Sequence, residues 1–223
     1  MKQGFVKVAS ATPRIRVADP VYNAQVICEQ AKEAAEHGAK IVVFPELCIT
    51  GYTCNDLFLQ ELLLEKAKEA LLTIAEETGQ LETLFLVGLP VDKDGRLYNV
   101  AAVLYRGRIL GMIPKKNIPM YAEFYEGRHF TPGEETVTEY RLGKQVIPFG
   151  SNLLFRCEEL PELILGCELC EDLWVAEPPS TSHALMGATV IANLSASNET
   201  VSKDDYRTLL IKASSARLLC GYI

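Results

Sequence analysis

The run Lys40-Ile41-Val42-Val43-Phe44-Pro45 constrains the possible folds of this chain more than any other segment. It is short, β-branched and apolar almost without interruption, the pattern of a strand buried on both faces. Such a strand needs a covering layer on each side. One cover lies just upstream: residues 21–37 carry the Ala, Glu, Lys and spaced apolar positions of an amphipathic helix, stopped by Gly38. The alternation recurs. Residues 5–11 read as a strand, 61–78 as a second helix and 84–89 as a strand. Residues 97–113 are a further β-prone stretch, entered through the turn Asp92-Lys93-Asp94-Gly95, so this part reads as a meander. A strand at 163–169, a loop carrying Pro178-Pro179-Ser180, a short helix at 183–187, a strand at 189–194 and a helix at 204–219 follow. Helices alternating with strands imply an α/β domain with helices covering the sheet faces. Cys220-Gly221-Tyr222-Ile223 reads as the opening of one more strand, which leads us to expect a chain truncated at its C-terminal end.

At 223 residues the chain can bury a substantial core as one domain, 1–223, with no internal repeat or linker. Its 48% hydrophobic and 23% charged residues are those of a globular protein, and no apolar run approaches the ~18 residues of a membrane span. Met1 to Val8 move straight into an alternating strand pattern without the features of a signal peptide, so a cytoplasmic location is expected. Seven cysteines, an odd number scattered through apolar segments, suit reduced core thiols better than a disulfide framework. A formal charge of −7 with no basic cluster argues against nucleic acid as the main partner.

Three segments set a polar or reactive residue at the end of an apolar strand or in the loop after it, where open α/β sheets build their sites. Phe44-Pro45-Glu46-Leu47 supplies a carboxylate, residues 113–119 an ammonium from Lys115 or Lys116, and residues 166–174 a thiol. Together these groups can carry out nucleophilic acyl transfer: a carboxylate takes the thiol proton, and a cation favours thiolate and stabilises an oxyanion. Singly, each has a plainer reading. Glu46 is as readily a strand-end carboxylate satisfied by backbone, the two lysines are more often solvated, and Cys170 is more often a small core residue. Cys167 and Cys170 form a Cys-x-x-Cys, but His37, His129 and His183 make no ligand-like pair, which speaks against a metal. Residues three apart in extended chain point to opposite faces, so Cys167 is assigned to the core.

The segments FPELCITGYT (44–53), PKKNIPMYAEFYEGRHFTPG (114–133), GCELCEDLW (166–174) and ANLSASN (192–198), taken in order, resemble the nitrilase, or carbon-nitrogen hydrolase, superfamily. More narrowly they resemble the N-terminal glutaminase domain of glutamine-dependent NAD synthetases, in approximate register from residue 4 to the end. The resemblance implies a four-layer α-β-β-α sandwich and a Glu46–Lys115–Cys170 triad. It selects Lys115 over Lys116, because the family's triad lysine follows the proline matched by Pro114. It implies a second glutamate at Glu126, a substrate pocket lined by Tyr121 and Trp174, and contacts to the amino-acid end of the substrate from Ser195 or Ser197, with Ser197 preferred. Lys203 stands where related sequences often have arginine, as a cation for the α-carboxylate; the two side chains differ in their hydrogen-bonding fork.

The activity so implied is hydrolysis of L-glutamine through a cysteine thioester, with no cofactor for that step. ATP and Mg belong to a synthetase domain that amidates deamido-NAD, and nothing in this chain resembles that domain. A homo-oligomer is also implied, with neither nucleic acid nor membrane as partner. Competing readings are a nitrilase-type hydrolase of another amide, a nitrile or an N-carbamoyl compound, and a non-catalytic binding or assembly subunit. A papain-like pair of Cys170 and His183 is more distant.

Overall fold

A computed structural model describes residues 4–223; Met1, Lys2 and Gln3 of the opening strand pattern lie outside the described residues. The first sheet contains β1 (Val8–Ser10), β2 (Ile41–Val43), β3 (Leu84–Lys93), β4 (Arg96–Tyr105), β5 (Arg108–Pro114), β6 (Thr138–Leu142) and β7 (Gln145–Phe149), in the order β1-β2-β3-β4-β5-β7-β6. The second contains β8 (Leu154–Arg156), β9 (Ile164–Leu169), β10 (Val190–Leu194) and β11 (Gly221–Tyr222), in the order β11-β10-β9-β8. The pairs β1–β2, β2–β3, β9–β10 and β10–β11 are parallel, so the segments after β2, β9 and β10 leave their sheets in the directions parallel strands dictate.

The layering follows from the two-residue period of the strands. Along β4, Val100, Ala102 and Leu104 pack with α1 (Pro20–Glu36) and α2 (Glu61–Glu77), whereas Ala101 and Val103 turn inward. That inner layer also holds Ile41, Val43, Leu86 and Ile113 of the first sheet and Leu165, Cys167, Leu169, Ala192 and Leu194 of the second. On the far side α3 (Pro179–Leu185) and α4 (Lys203–Leu218) cover the second sheet, with Ala184 and Leu218 against Ile191 and Cys220. The result is the four-layer α-β-β-α sandwich that the sequence led us to expect. Of α4 only Ser214 is fully buried.

Several boundaries differ from the sequence reading. The first strand is shorter than residues 5–11, and β3 continues to Lys93 because Asp94 and Gly95, both at positive φ, are enough to turn the hairpin. The stretch 97–113 is two strands, split at Arg106 and Gly107, again both at positive φ. The helix expected at 183–187 starts earlier: Pro179 is not loop but its first residue, where a proline's missing N–H costs nothing. Strands β6, β7 and β8 had not been expected. All seven thiols are free, with Cys157 the least buried of them. Among the described residues no helix is long and apolar enough to cross a membrane.

Candidate active site

Four chain segments converge beyond the strand ends. Glu46 follows β2 in a tight turn where Leu47 has φ 53°. The turn lies directly on β3 at Gly88, where a Cβ would stand 2.3 Å from the Leu47 nitrogen, so only glycine allows this approach. Lys115 follows Pro114, the last residue of β5, and its carbonyl accepts from Gly133 N at 2.7 Å. Cys170 follows β9 and opens a 3-10 turn, Cys170–Leu173, with φ 41°. Ser195 and Ala196 follow β10.

Side chains from these segments hydrogen-bond to one another across the site. Lys115, fully buried, donates to Glu46 Oε1 at 2.6 Å and to Glu126 Oε1 at 2.7 Å. Asn99 Nδ2 donates to Glu46 Oε1 at 2.7 Å, and the Tyr52 hydroxyl to Glu126 Oε1 at 2.7 Å. The Ala196 N–H donates to Glu46 Oε2 at 3.1 Å, tying the β10 end to the β2 end. Ser195 Oγ lies 3.3 Å from Cys170 Sγ. A further buried carboxylate, Asp172, accepts from the Asn117 backbone at 2.7 Å, the Asn117 side chain at 2.8 Å and Leu169 N at 3.0 Å. It therefore bridges the residue before Cys170 and the loop that carries Lys115.

Burial governs the proton affinities. The Cys170 thiol is pushed up to about 12 by burial first and by the Glu46 charge second, with Lys115 pulling the other way. Its resting form at neutral pH is thiol. Burial alone would lower the Lys115 ammonium, but Glu46, the Cys170 sulfur once it is ionised, and Glu126 outweigh it and hold the lysine above its ordinary value. Glu126 is held above the usual carboxylate range by burial and by Glu46, against the pull of Lys115 and Tyr52. A protonated thiol beside a carboxylate–ammonium pair can exchange a proton with the carboxylate, while the ammonium remains available to a developing anion.

The remaining expected residues lie around this centre. Tyr121 is half exposed, and its hydroxyl donates to Glu171 Oε2 at 2.8 Å. Lys203, the first residue of α4, has its ammonium 5.2 Å from the Trp174 ring centre and 5.5 Å from that of Phe124, and it donates to Asn198 Oδ1. Among the described residues Ser197 Oγ bonds only the Asn198 carbonyl, at 3.4 Å, and it is Ser195 that meets the cysteine. Lys116 pairs with Glu135 at the surface. Cys167 faces the layer between the sheets. His183 is packed behind β9, where a Cβ on Gly166 would stand 2.9 Å from its ring; its Nε2 meets the Ser151 carbonyl at 2.9 Å, so it is no partner for Cys170. Among the described residues no cluster of His, Cys, Asp or Glu could hold a metal. Sequence reasoning missed Asn99, Tyr52 and Asp172. Asn99 had a signal, a lone amide inside the otherwise apolar run of β4.

The carbon-nitrogen hydrolase family model matches residues 7–220. The chain is 41% identical over 222 residues to the glutamine-dependent NAD(+) synthetase of Mycobacterium tuberculosis, covering 100% of this chain and 33% of that protein. To the corresponding synthetase of Thermotoga maritima it is 34% identical over 225 residues, again along its whole length and 35% of the relative. It thus spans about a third of the curated relatives it matches. Among solved structures, a glutamine-dependent NAD(+) synthetase from Cytophaga hutchinsonii superposes with a TM-score of 0.87 at 29% identity, over 97% of this chain and 35% of that one. An amidase from Nesterenkonia sp. shares the fold, with a TM-score of 0.72 at 20% identity over 97% of this chain and 75% of its own.

Proposed function

The chain belongs to the carbon-nitrogen hydrolase family, and on that premise we propose that it is a glutamine amidohydrolase with Cys170 as nucleophile, Glu46 as proton carrier and Lys115 as oxyanion partner. The observation that carries the proposal is the buried Glu46–Lys115 contact of 2.6 Å, joined to Cys170 through Ser195, which meets its thiol, and the adjacent Ala196, whose N–H meets Glu46. Glutamine as substrate rests on the synthetase relatives, whose similarity runs the length of the chain.

In this reaction Glu46 takes the proton of the Cys170 thiol as sulfur attacks the side-chain amide carbon of glutamine. The carbonyl π electrons move to oxygen, and Lys115 together with a backbone N–H just beyond Cys170 stabilises that charge. Collapse of the intermediate breaks the carbon–nitrogen bond, and Glu46 returns its proton to the nitrogen, which leaves as ammonia. Water, deprotonated by Glu46, then attacks the thioester; glutamate departs and the thiol is restored. Glu126 orients Lys115, Tyr121 and Trp174 line the pocket, and Ser197 and Lys203 hold the amino-acid end of the substrate. We extend the proposal to the fate of the ammonia, which passes to an ATP- and Mg-using synthetase unit that amidates deamido-NAD, and to a homo-oligomer assembled through the outer helices.

Labelling with a glutamine-mimicking diazo-ketone tests the central claim. Intact-mass and peptide mapping should find a single adduct on Cys170, suppressed by excess glutamine, absent in Cys170→Ala and retained in Cys167→Ala. An adduct on another cysteine, or none on a folded sample, would sink the proposal.

A further inference from the structure

Cys170 owes its backbone position to a side chain outside the triad. Its φ of 41° is a left-handed conformation, unfavourable for a residue with a Cβ and maintained only where the surroundings impose it. The Cys170 N–H donates to Asn193 Oδ1 at 3.0 Å. An asparagine amide has two ends of nearly equal size and opposite hydrogen-bonding character. Turned over, Asn193 would present an NH2 group to the Cys170 N–H, donor against donor. Something must therefore fix its orientation.

Glu168 supplies that constraint. It is 1% exposed and makes no ion pair among the described residues. Glu168 and Asn193 are direct partners across the parallel β9–β10 ladder. Glu168 Oε1 accepts from Asn193 Nδ2 at 3.3 Å and from the Tyr222 hydroxyl, and Oε2 accepts from Ser180 N at 2.8 Å. All three partners donate. A buried carboxylate is a costly choice where an apolar residue would fill the space, but it cannot donate and so draws the NH2 end of Asn193 toward itself.

We infer that Glu168 and Asn193 are positioning residues for the nucleophile: Glu168 sets the polarity of the Asn193 amide, and Asn193 holds Cys170 in the turn that presents its thiol to Glu46 and Lys115. The inference rests on the proposed role of Cys170.

Swapping the polarity of the pair tests it. In Glu168→Gln one acceptor oxygen becomes a donor. If the remaining oxygen stays on Ser180 N–H, the new NH2 group faces Asn193, whose amide turns over against Cys170. In Asn193→Asp two acid groups face each other. The double variant Glu168→Gln/Asn193→Asp restores complementarity with the 168–193 bond reversed: the amide now at 168 donates to the carboxylate now at 193, whose other oxygen accepts from Cys170 N–H, while the Tyr222 hydroxyl rotates to accept. The readout is the rate of Cys170 alkylation by iodoacetamide, located by peptide mapping and accompanied by thermal melts. This reagent reports on the thiol whatever amide the protein hydrolyses.

Each single variant should slow alkylation about tenfold or more. The double variant should return to within about threefold of the unsubstituted rate, a coupling that independent sites do not show. Single variants at the unsubstituted rate, or a double variant as slow as the product of the two losses, overturn the inference. If a single variant does not fold, the double variant decides: folded with a reactive Cys170 supports it, and unfolded or unreactive overturns it. An unsubstituted chain whose Cys170 does not react defeats the nucleophile assignment itself, and the positioning role with it.

Discussion

The centre of the site and its rim are built on different principles. At the centre Glu46, Lys115, Glu126 and Cys170 are all less than a tenth exposed, and each is braced from backbone or buried side chains. At the rim Tyr121 is 53% exposed, and Trp174, Ser197 and Lys203 are half-buried on loops or at the start of α4. On the proposed roles, the difference follows from the chemistry required of each. Charges that meet a transition state act most strongly where water is excluded and their geometry is set in advance. Groups that recognise the far end of a substrate must also let it enter and leave. The centre bears the greater risk, because buried charges are tolerated only while they are paired.

That contrast is most exposed at Lys115. Its ammonium is the cation that Glu46 and Glu126 share, so Lys115→Ala leaves two carboxylates in a dry site without it. We expect amide hydrolysis to fall about 10²- to 10³-fold, with stability reduced by about 3–5 kcal/mol. The neighbouring Lys116→Ala loses only a partly exposed pair with Glu135, for which about 0–1 kcal/mol and near-normal turnover are expected. Turnover and denaturant melts of the two variants side by side check this; equal losses would abolish the distinction between centre and surface.

Glu126 offers an intermediate effect with a direction in pH. Its carboxyl is held above the ordinary range, so the native state binds its proton more tightly than the unfolded chain does. The stability this confers is fully present below the ordinary glutamate value and is lost as pH rises through the folded one. Relative to Glu126→Gln, which cannot titrate, the unsubstituted chain should therefore be at its best in acid and lose ground toward neutral pH. Melting temperatures of both across that range read the difference, and a melting temperature of the unsubstituted chain that rises relative to the variant toward neutral pH would contradict it. Turnover of the variant should fall about tenfold, since Lys115 loses a charged acceptor while keeping Glu46.

How much of this was legible in the sequence depends on where the information resides. α1, α2, β9 and β10 were read nearly to their ends, because their apolar periods are complete within each segment, whereas the strand within 40–45 is only Ile41–Val43. β6 and β7 were not: they are short, each alternates exposed with buried positions through charged or proline residues, and Pro148 within β7 counts against a strand. β8 is only three residues long. In the site, Glu46, a lysine at 115 or 116 and Cys170 could be marked as candidates because each follows a recognisable strand, and the family resemblance then selected Lys115. Tyr52 could not be assigned to Glu126, which lies far along the chain, until the fold brought them together. Asn193 resembles Asn99 in this respect, a lone amide within an apolar strand, and both amides turned out to bond residues of the site. A single polar side chain inside a buried strand is thus a usable signal even when its partner cannot be named.

The smallest effect should come from the rim. Lys203 Nζ sits within reach of two aromatic rings, an arrangement worth about 0.5–1 kcal/mol at an accessible site, and makes no contact with the buried charges. If it holds the α-carboxylate of the substrate, its interaction is the same before and during the chemical step. Lys203→Ala should then raise KM several-fold and leave kcat almost unchanged, the signature of uniform binding. Lys203→Arg restores the charge, and with it most of KM, provided the forked guanidinium can occupy the place between Trp174 and Phe124. A fall in kcat comparable to that of Glu126→Gln would move Lys203 from the rim into the centre. The division would then lie not between buried and exposed groups but between the chain segments that carry them.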